Sequence, residues 1–295
     1  MDASPVRPID HAVLPVLDLA TARNRLAKLG FTVAPEGYHP FGTANCCVYF
    51  TDGSFLEPLA IADREAANAA ALAGNVFTAR DASYRQSTGN EGFSALAMGT
   101  GNAAADHEIF VENGLSAGSI LEFSRPFVDA AGVEDTASFR LAFAADKSAT
   151  EALFFTSQRV NVPKVDRSAL QVHANGVSRI ARVLLSADAP SAYASVLSTV
   201  VGGGRPTDID QGIELRASNA FVTVLTPARL HSEFGLKGRA KPSLNLVGLV
   251  FEIARAPACE GVLQAAHVPY ERRGNRLIVQ SAPGQGALFA FEEEQ

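Results

Sequence analysis

Ile9-Asp10-His11-Ala12-Val13-Leu14-Pro15-Val16 and Phe55-Leu56-Glu57-Pro58-Leu59-Ala60-Ile61 are the two runs on which the reading of the fold turns. Both are apolar and of strand length, and each carries a polar side chain in its middle. Between them lies a helical pattern over residues 19–29. Leu19, Ala22, Leu26 and Leu29 recur at helical spacing, Asp18 is placed to cap the start, and Gly30 to stop it. A second strand is expected to open at Phe31-Thr32-Val33-Ala34, and a third within Gly42-Thr43-Ala44-Asn45-Cys46-Cys47-Val48-Tyr49-Phe50. The order is strand, helix, then three strands. In a curled sheet the outer strands become neighbours, so the imidazole of His11 and the carboxylate of Glu57 can share one concave face. Both groups are good ligands for a divalent metal. A single histidine or glutamate on a strand is more commonly just hydrogen-bonded or turned to water.

The same order recurs down the chain. Residues 62–74 read as an alanine-rich helix and 75–92 as a polar connection. A second module follows: a strand at 92–99, a helix at 103–113, and strands at 119–124, 138–144 and 152–157, with a turn at Asp129-Ala130-Ala131-Gly132. Residues 161–175 read as an irregular crossover. A third module takes a strand at 178–185, a helix at 189–201 and strands at 206–209, 212–217 and 221–225. The fourth takes a strand at 244–254, a helix at 256–266 and strands at 269–272, 276–280 and 287–291. A βαβββ unit repeating every roughly 50–80 residues cannot bury its sheet face alone and is expected to pair with another. The expectation is an α+β protein of four βαβββ modules paired into two half-open β-barrel domains, residues 1–160 and 161–295.

Composition narrows the function. A 47% hydrophobic, 19% charged chain is an ordinary globular one. A net charge of −6 without a basic cluster gives no reason to expect nucleic acid or an anionic membrane as partner. Three cysteines, two of them adjacent, do not make a disulfide framework, and a reducing cytoplasm is expected. Met1-Asp2-Ala3-Ser4-Pro5 shows no signal segment, and no run reaches the length of a membrane span. Gly202-Gly203-Gly204 closes a helix instead of opening one, so it is not read as a phosphate loop.

The first block resembles the opening module of the vicinal oxygen chelate superfamily, which includes glyoxalases, bleomycin-resistance proteins and extradiol dioxygenases. It is most similar to a glyoxalase-like group, through Ile9-Asp10-His11, His39-Pro40-Phe41-Gly42-Thr43-Ala44-Asn45 and Gly53-Ser54-Phe55-Leu56-Glu57. The resemblance implies that His11 and Glu57 are metal ligands, that Glu57 is also catalytic, and that the cofactor is a divalent ion (zinc, manganese, magnesium, nickel or iron). Module two departs from the pattern. Ser94 stands where a second histidine would complete a strong site, and Ser157-Gln158-Arg159 stands where related sequences often read Cys-Gln-His, which leaves Gln158 as a weak amide ligand. Arg125, in Ser124-Arg125-Pro126, is expected to meet a substrate carboxylate or enolate with its fixed fork. His39 and Asn45 are expected at the mouth of the same cup. His173, in Val172-His173-Ala174-Asn175-Gly176, reads as an anchor of the crossover.

By that resemblance the chain is a glyoxalase-like metalloenzyme of lyase or isomerase type, doing enolate chemistry on a small oxygenated molecule. Ring-opening dioxygenation ranks lower, because non-haem iron generally takes two histidines and a carboxylate. The alternative is a metal-free small-molecule binding or sequestration protein of the bleomycin-resistance type. A homodimer is an allowed assembly. Glu252, with no histidine opposite it, leaves the second half without a comparable pair, and that half is expected to support the first.

Overall fold

The computed structural model describes residues 6–128, 134–149, 151–236 and 242–293. Module one consists of β1 (Ile9–Pro15), α1 (Leu19–Lys28), β2 (Gly37–Tyr38), β3 (Thr43–Asn45), β4 (Val48–Tyr49) and β5 (Phe55–Ile61). The α1 start is capped as its sequence dictates, with the Asp18 carboxylate accepting from the Thr21 amide at 2.8 Å. Gly30 follows with φ of +89°, and a Cβ there would meet the Asn175 backbone nitrogen at 2.9 Å, so glycine serves both the turn and the close approach. Phe31 to Ala34 do not form the expected strand. The Phe31 side chain instead enters the core, within 5.2 Å of the Phe251 ring.

Two helices follow, α2 (Arg64–Leu72) and α3 (Val76–Ser87), the second in place of the expected polar connection. Asn75 caps α3 through the Thr78 amide, but its buried stripe mixes Val76, Phe77 and Tyr84 with Thr78 and Asp81, which hides the apolar period. Module two is β6 (Ala95–Gly99), α4 (Ala103–Glu112), β7 (Leu121–Val128), β8 (Glu134–Ala144) and β9 (Leu153–Asn161), its last three strands longer than expected. The turn expected at Asp129-Ala130-Ala131-Gly132 lies outside the described residues.

The second half repeats the order. It has β10 (Val177–Ser186), α5 (Ala194–Val201), β11 (Thr207–Ile209), β12 (Gly212–Arg216), β13 (Phe221–Leu225) and α6 (Pro227–Phe234). It closes with β14 (Asn245–Ile253), α7 (Ala256–Ala265), β15 (Glu271–Arg273), β16 (Arg276–Val279) and β17 (Leu288–Glu293). The α6 helix was not expected, although Thr226 caps it, Pro227 opens it and Gly235 ends it in the left-handed conformation.

The first sheet runs β2-β3-β5-β1-β6-β9-β8-β7, with β4 also on β5, and the second runs β11-β12-β13-β10-β14-β17-β16-β15. In each, the first and last strands of a module pair in parallel and two modules join through their opening strands. The first sheet curls until its far ends meet: Phe123 on β7 packs edge-on to Phe41, beside β3, at 5.2 Å. The fold is therefore α+β, built from paired βαβββ modules.

The faces of both sheets that point away from the cups share one apolar core. Phe31 and Phe50 from the first half meet Phe251 from the second, and Phe93 meets Phe289. His173 sits in the crossover as expected, accepting from the Thr32 amide at Nδ1 and donating to the Tyr49 carbonyl from Nε2, each at 3.0 Å. Among the described residues no helix is long and apolar enough to cross a membrane.

Candidate active site

Alternation along β1 and β5 decides which side chains enter the first cup. His11 and Val13 on β1 and Glu57 and Leu59 on β5 point inward, while Ala12, Leu14, Leu56 and Ala60 join the shared core. Parallel register sets Val13 beside Glu57 and Phe55 beside His11, so His11 and Glu57 are diagonal neighbours. His11 Nε2 faces Glu57 Oε2 at 3.5 Å. Both residues are buried, 6% and 5% exposed.

Each member of the pair is held from behind. A β-bulge between Ile9 and His11 lets the Asp10 carboxylate reach His11 Nδ1 at 2.7 Å, and Arg159 on β9 holds the other Asp10 oxygen at 2.6 Å. Burial pushes the Asp10 carboxyl up, but the hydrogen bonds and charges of His11 and Arg159 outweigh it and hold it below the usual carboxylate range. The His11 ring stacks on Phe55 at 4.3 Å and meets the edge of Phe155 at 5.3 Å. Glu57 Oε1 accepts from Asn45 Nδ2 at 2.7 Å. The second Asn45 proton points to His39 Nε2, 3.4 Å away, which assigns the His39 proton to Nδ1, where it meets Thr43 Oγ1 at 2.8 Å. Burial, helped by the charges of Arg125 and His11, pushes His39 down to about 3, so the ring is neutral at physiological pH.

Arg125 comes from the far end of the curled sheet. Gly37 on β2 lacks the Cβ that would collide with Arg125 Nη1 and with Asn45 Oδ1, so the guanidinium lies against the chain beside Asn45. Among the described residues no carboxylate pairs with it. The structure thus brings His11, Glu57, Asn45, His39 and Arg125 into one neighbourhood. Phe41, Phe77, Phe123 and Phe155 wall it. Cys46 lies in the shared core, whereas the Cys47 thiol is pushed up by burial and by the nearby Glu57 charge.

Gln158 is not brought there. It alternates out of phase with Phe155 on β9, and its side-chain oxygen accepts from the Ala103 amide at the start of α4 at 3.1 Å. Ser94 lies one layer deeper, with Val13 and Leu59. They line, with Arg80, Asp81 and Tyr84, a cavity of about 10 Å³, which is about the least that admits one water.

The donor set does not suit a resident divalent ion. Two ligands at ~2.0–2.1 Å from a tetrahedral ion are about 3.3–3.5 Å apart, which His11 and Glu57 match. Among the described residues the strands of module two, however, contribute nothing to bind it, and His39 Nε2, 3.8 Å from Glu57 Oε1, is taken up by the Asn45 amide at 3.4 Å. Across from His11 the register reads Ala97, Phe155 and Phe143, and across from Val13 it reads Ala95 and Leu153. Among the described residues no three His, Cys, Asp or Glu side chains are grouped to hold an ion.

Asp10, Arg159 and Thr43 take part in the site without having been expected there. Regular alternation would turn Asp10 away from its neighbour His11; only the bulge reverses that, and nothing in the local sequence marks it.

Residues 9–201 match the family model described as a glyoxalase-like domain. Comparison with curated proteins finds no match. Among solved structures, a hypothetical protein from Staphylococcus aureus is similar with a TM-score of 0.67 at 12% identity, over 98% of this chain and 100% of that one. A mutant 4-hydroxymandelate synthase from Streptomyces coelicolor is similar with a TM-score of 0.63 at 12% identity, over 98% and 93%. A fusion of a xylose isomerase-like TIM barrel with a 4-hydroxyphenylpyruvate dioxygenase gives 0.58 at 13% identity, over 99% of this chain and 50% of that one. At such identities these likenesses speak for the fold alone. The family model covers well over half of the chain, and the chain belongs to the glyoxalase-like domain family.

Proposed function

We propose that the protein is an enzyme that moves a proton on a small oxygenated organic molecule, with Glu57 as the base. One observation carries the reading: a buried carboxylate whose Oε1 is fixed by Asn45 and whose Oε2 faces His11 Nε2 at 3.5 Å. Glu57 is only 5% exposed and its side chain is held at a fixed point, the positioning that a general base needs. His11, oriented by Asp10 and braced through it by Arg159, stands where a proton taken by Glu57 can be passed on or returned. Arg125, beside Asn45, offers a fork to a carboxylate or enolate oxygen of the substrate. His39, neutral and hydrogen-bonded through Asn45, keeps the Glu57 side chain in place without adding charge.

The reaction class is proton abstraction beside a carbonyl, as in lyases and isomerases of small oxygenated compounds. A divalent ion has no step in this mechanism, because module two presents only apolar side chains to the rows that hold His11 and Glu57. The division of labour follows: residues 1–160 carry the chemistry proposed, and residues 161–295 form the supporting half. A reducing, cytoplasmic setting goes with the buried thiols, Cys46 pushed up to about 11 and Cys259 to about 12 by burial.

The aromatic closure of the cup favours one second reading, a metal-free protein that sequesters a small molecule. The test is deuterium exchange in heavy water, followed by NMR on a panel of small 2-oxo and 2-hydroxy acids. The enzyme reading expects at least one compound to exchange its proton beside the carbonyl, and expects Glu57→Gln to stop the exchange while the compound still binds. Binding without exchange in the unaltered protein sinks the enzyme reading in favour of sequestration.

A further inference from the structure

The second sheet curls round a cup of its own, and here the lining is charged. A cavity of about 220 Å³ is bordered by Arg182, Glu214, Thr223, Arg229, Glu233 and Arg276, over an apolar floor that includes Leu184, Leu225 and Phe234. It is large beside the roughly 10–15 Å³ that admits a single water. Arg182 pairs with Glu214; Arg229 pairs with Glu233 at 3.0 Å and Asp210 at 3.1 Å; Arg276 pairs with Glu233 at 2.6 Å and Glu292 at 2.5 Å. Three guanidinium groups therefore face four carboxylates, and the charge is nearly balanced.

That balance selects the ligand. An anion entering the cup must lie against carboxylates that already hold the arginines, and an ammonium group must lie against the arginines. Either one disturbs a half-buried ion pair. A hydroxyl group disturbs none, since it accepts from a guanidinium N–H and donates to a carboxylate lone pair at once. The protein already contains the pattern: Thr223 Oγ1 accepts from Arg182 Nη1 at 2.8 Å and donates to Glu214 Oε2 at 2.9 Å. Among the described residues, Nη2 of Arg182, Arg229 and Arg276 carries no hydrogen-bond or ion-pair partner, so each has donors to spare. The Leu184, Leu225 and Phe234 floor suits the C–H faces of a carbon ring.

We propose that the second cup binds a small neutral polyhydroxylated molecule, of monosaccharide or cyclitol size, whose hydroxyls bridge Arg182–Glu214 and the Arg229–Glu233–Arg276 cluster. This site is separate from His11 and Glu57, so its fate and that of the proton-transfer reading are independent.

The experiment is a titration of the full-length ¹⁵N-labelled protein, read on arginine side-chain Nε–Hε resonances. The probes are D-glucose, myo-inositol and D-mannitol, with glutamate, succinate and putrescine as charged counterparts. The expected result is a saturable shift of Arg182, Arg229 and Arg276 with at least one polyol, while Arg125 and Arg159 stay still. Glu214→Gln should weaken binding about tenfold, the scale of one hydrogen bond to a charged group. Ile209→Trp, at a partly exposed position on the rim, blocks the cup without touching an ion pair and should also weaken it, with folding checked by circular dichroism. No saturable shift with any of the three polyols overturns the proposal. So does tighter binding of a charged probe, or polyol binding that neither variant alters.

Discussion

The two cups are built on one plan and carry opposite chemistry. In the first, parallel register sets His11 beside Phe55 and Val13 beside Glu57; in the second it sets Arg182 beside Phe221 and Leu184 beside Thr223. Arg182 therefore stands where His11 stands, and Thr223 stands where Glu57 stands. The correspondence extends to the bulge, which falls between Ile9 and His11 in one sheet and between Ile180 and Arg182 in the other. The bulged residue is Asp10 in the first and Ala181 in the second, so only His11 has a carboxylate behind it. Even the aromatic partner is kept: Phe55 stacks under the imidazole at 4.3 Å, and Phe221 lies under the guanidinium at 5.2 Å. The backbone plan fixes where an inward side chain will stand, and the choice of side chain decides what it does there. A diagonal imidazole–carboxylate pair in an aromatic enclosure is equipped to move a proton. A ring of matched ion pairs round an open cavity is equipped to hold hydroxyls.

The largest expected effect breaks this comparison at Glu57. Glu57→Gln keeps the Asn45 contact in shape but removes the proposed base, and turnover should fall by roughly 10²–10⁴-fold, the range for loss of a positioned proton-transfer group. Adding Thr223→Glu to that variant places a carboxylate at the equivalent point of the second cup and should restore no activity, because Arg182, not an imidazole, faces it. Recovered turnover in the double variant, measured by the same deuterium exchange, would mean that the cups are chemically interchangeable.

The shared core makes a second prediction. Phe251 is fully buried and touches Phe31 and Phe50 from the first half and Phe289 and Phe291 from the second. Phe251→Ala should cost about 3–5 kcal/mol, as for other large-to-small changes in a close-packed core. Because the lost contacts belong to both sheets, denaturant unfolding should stay a single transition at lower midpoint. A new intermediate that keeps only the first half folded would show that the cups are supported separately.

Acid separates the halves next. His39 has a folded value of about 3 against an ordinary 6.5, because burial disfavours its charged form. Above pH 6.5 it is neutral in both states and its contribution is complete. As pH falls from 6.5 towards 3, the unfolded chain binds a proton that the fold refuses, and stability drops by up to about 1.4 kcal/mol per pH unit. His173, also lowered by burial, acts in the same direction at the seam. Among the described residues no histidine lines the second cup. Urea unfolding at pH 7.5, 6 and 5 should therefore show an acid loss that His39→Gln reduces. An unaltered slope in that variant would assign the loss elsewhere.

Much of this was legible in the sequence, and for definite reasons. The apolar runs round His11 and Glu57, the Asp18 cap and the Gly30 stop each act within a few residues, so β1, α1 and β5 could be read directly, whereas the strand expected at Phe31 to Ala34 did not form. Its likeness to a known family pointed to His11, Glu57, Asn45 and His39 together. What could not be read depended on distant chain. Arg125 was expected as a substrate contact, but its place beside Asn45 follows only from the sheet curling far enough for β7 to approach β2. Asp10 turns to His11 only because of a bulge against β6, and the α3 stripe is hidden by Thr78 and Asp81. The second cup went unnoticed for the opposite reason: Arg182, Glu214, Arg229, Glu233 and Arg276 each look like solvated surface charges, and only the sheet gathers them.

The smallest effect is expected outside both cups, at Gln158. Its amide oxygen receives the Ala103 N–H in the first turn of α4, an otherwise unpaired donor of the kind every helix start presents. Losing such a partner costs about 0.5–2 kcal/mol, so Gln158→Ala should lower the unfolding midpoint slightly. Proton exchange on any compound turned over should not change, since the side chain lies on the face of β9 opposite Phe155. If Gln158→Ala instead lowered turnover as steeply as Glu57→Gln with stability intact, Gln158 would belong with His11 and Glu57 after all. The first cup would then draw an uncharged polar group from module two besides Arg125 and Arg159, as the second cup draws Arg276 and Glu292 from module four, and the contrast between the cups would narrow to the identity of the groups.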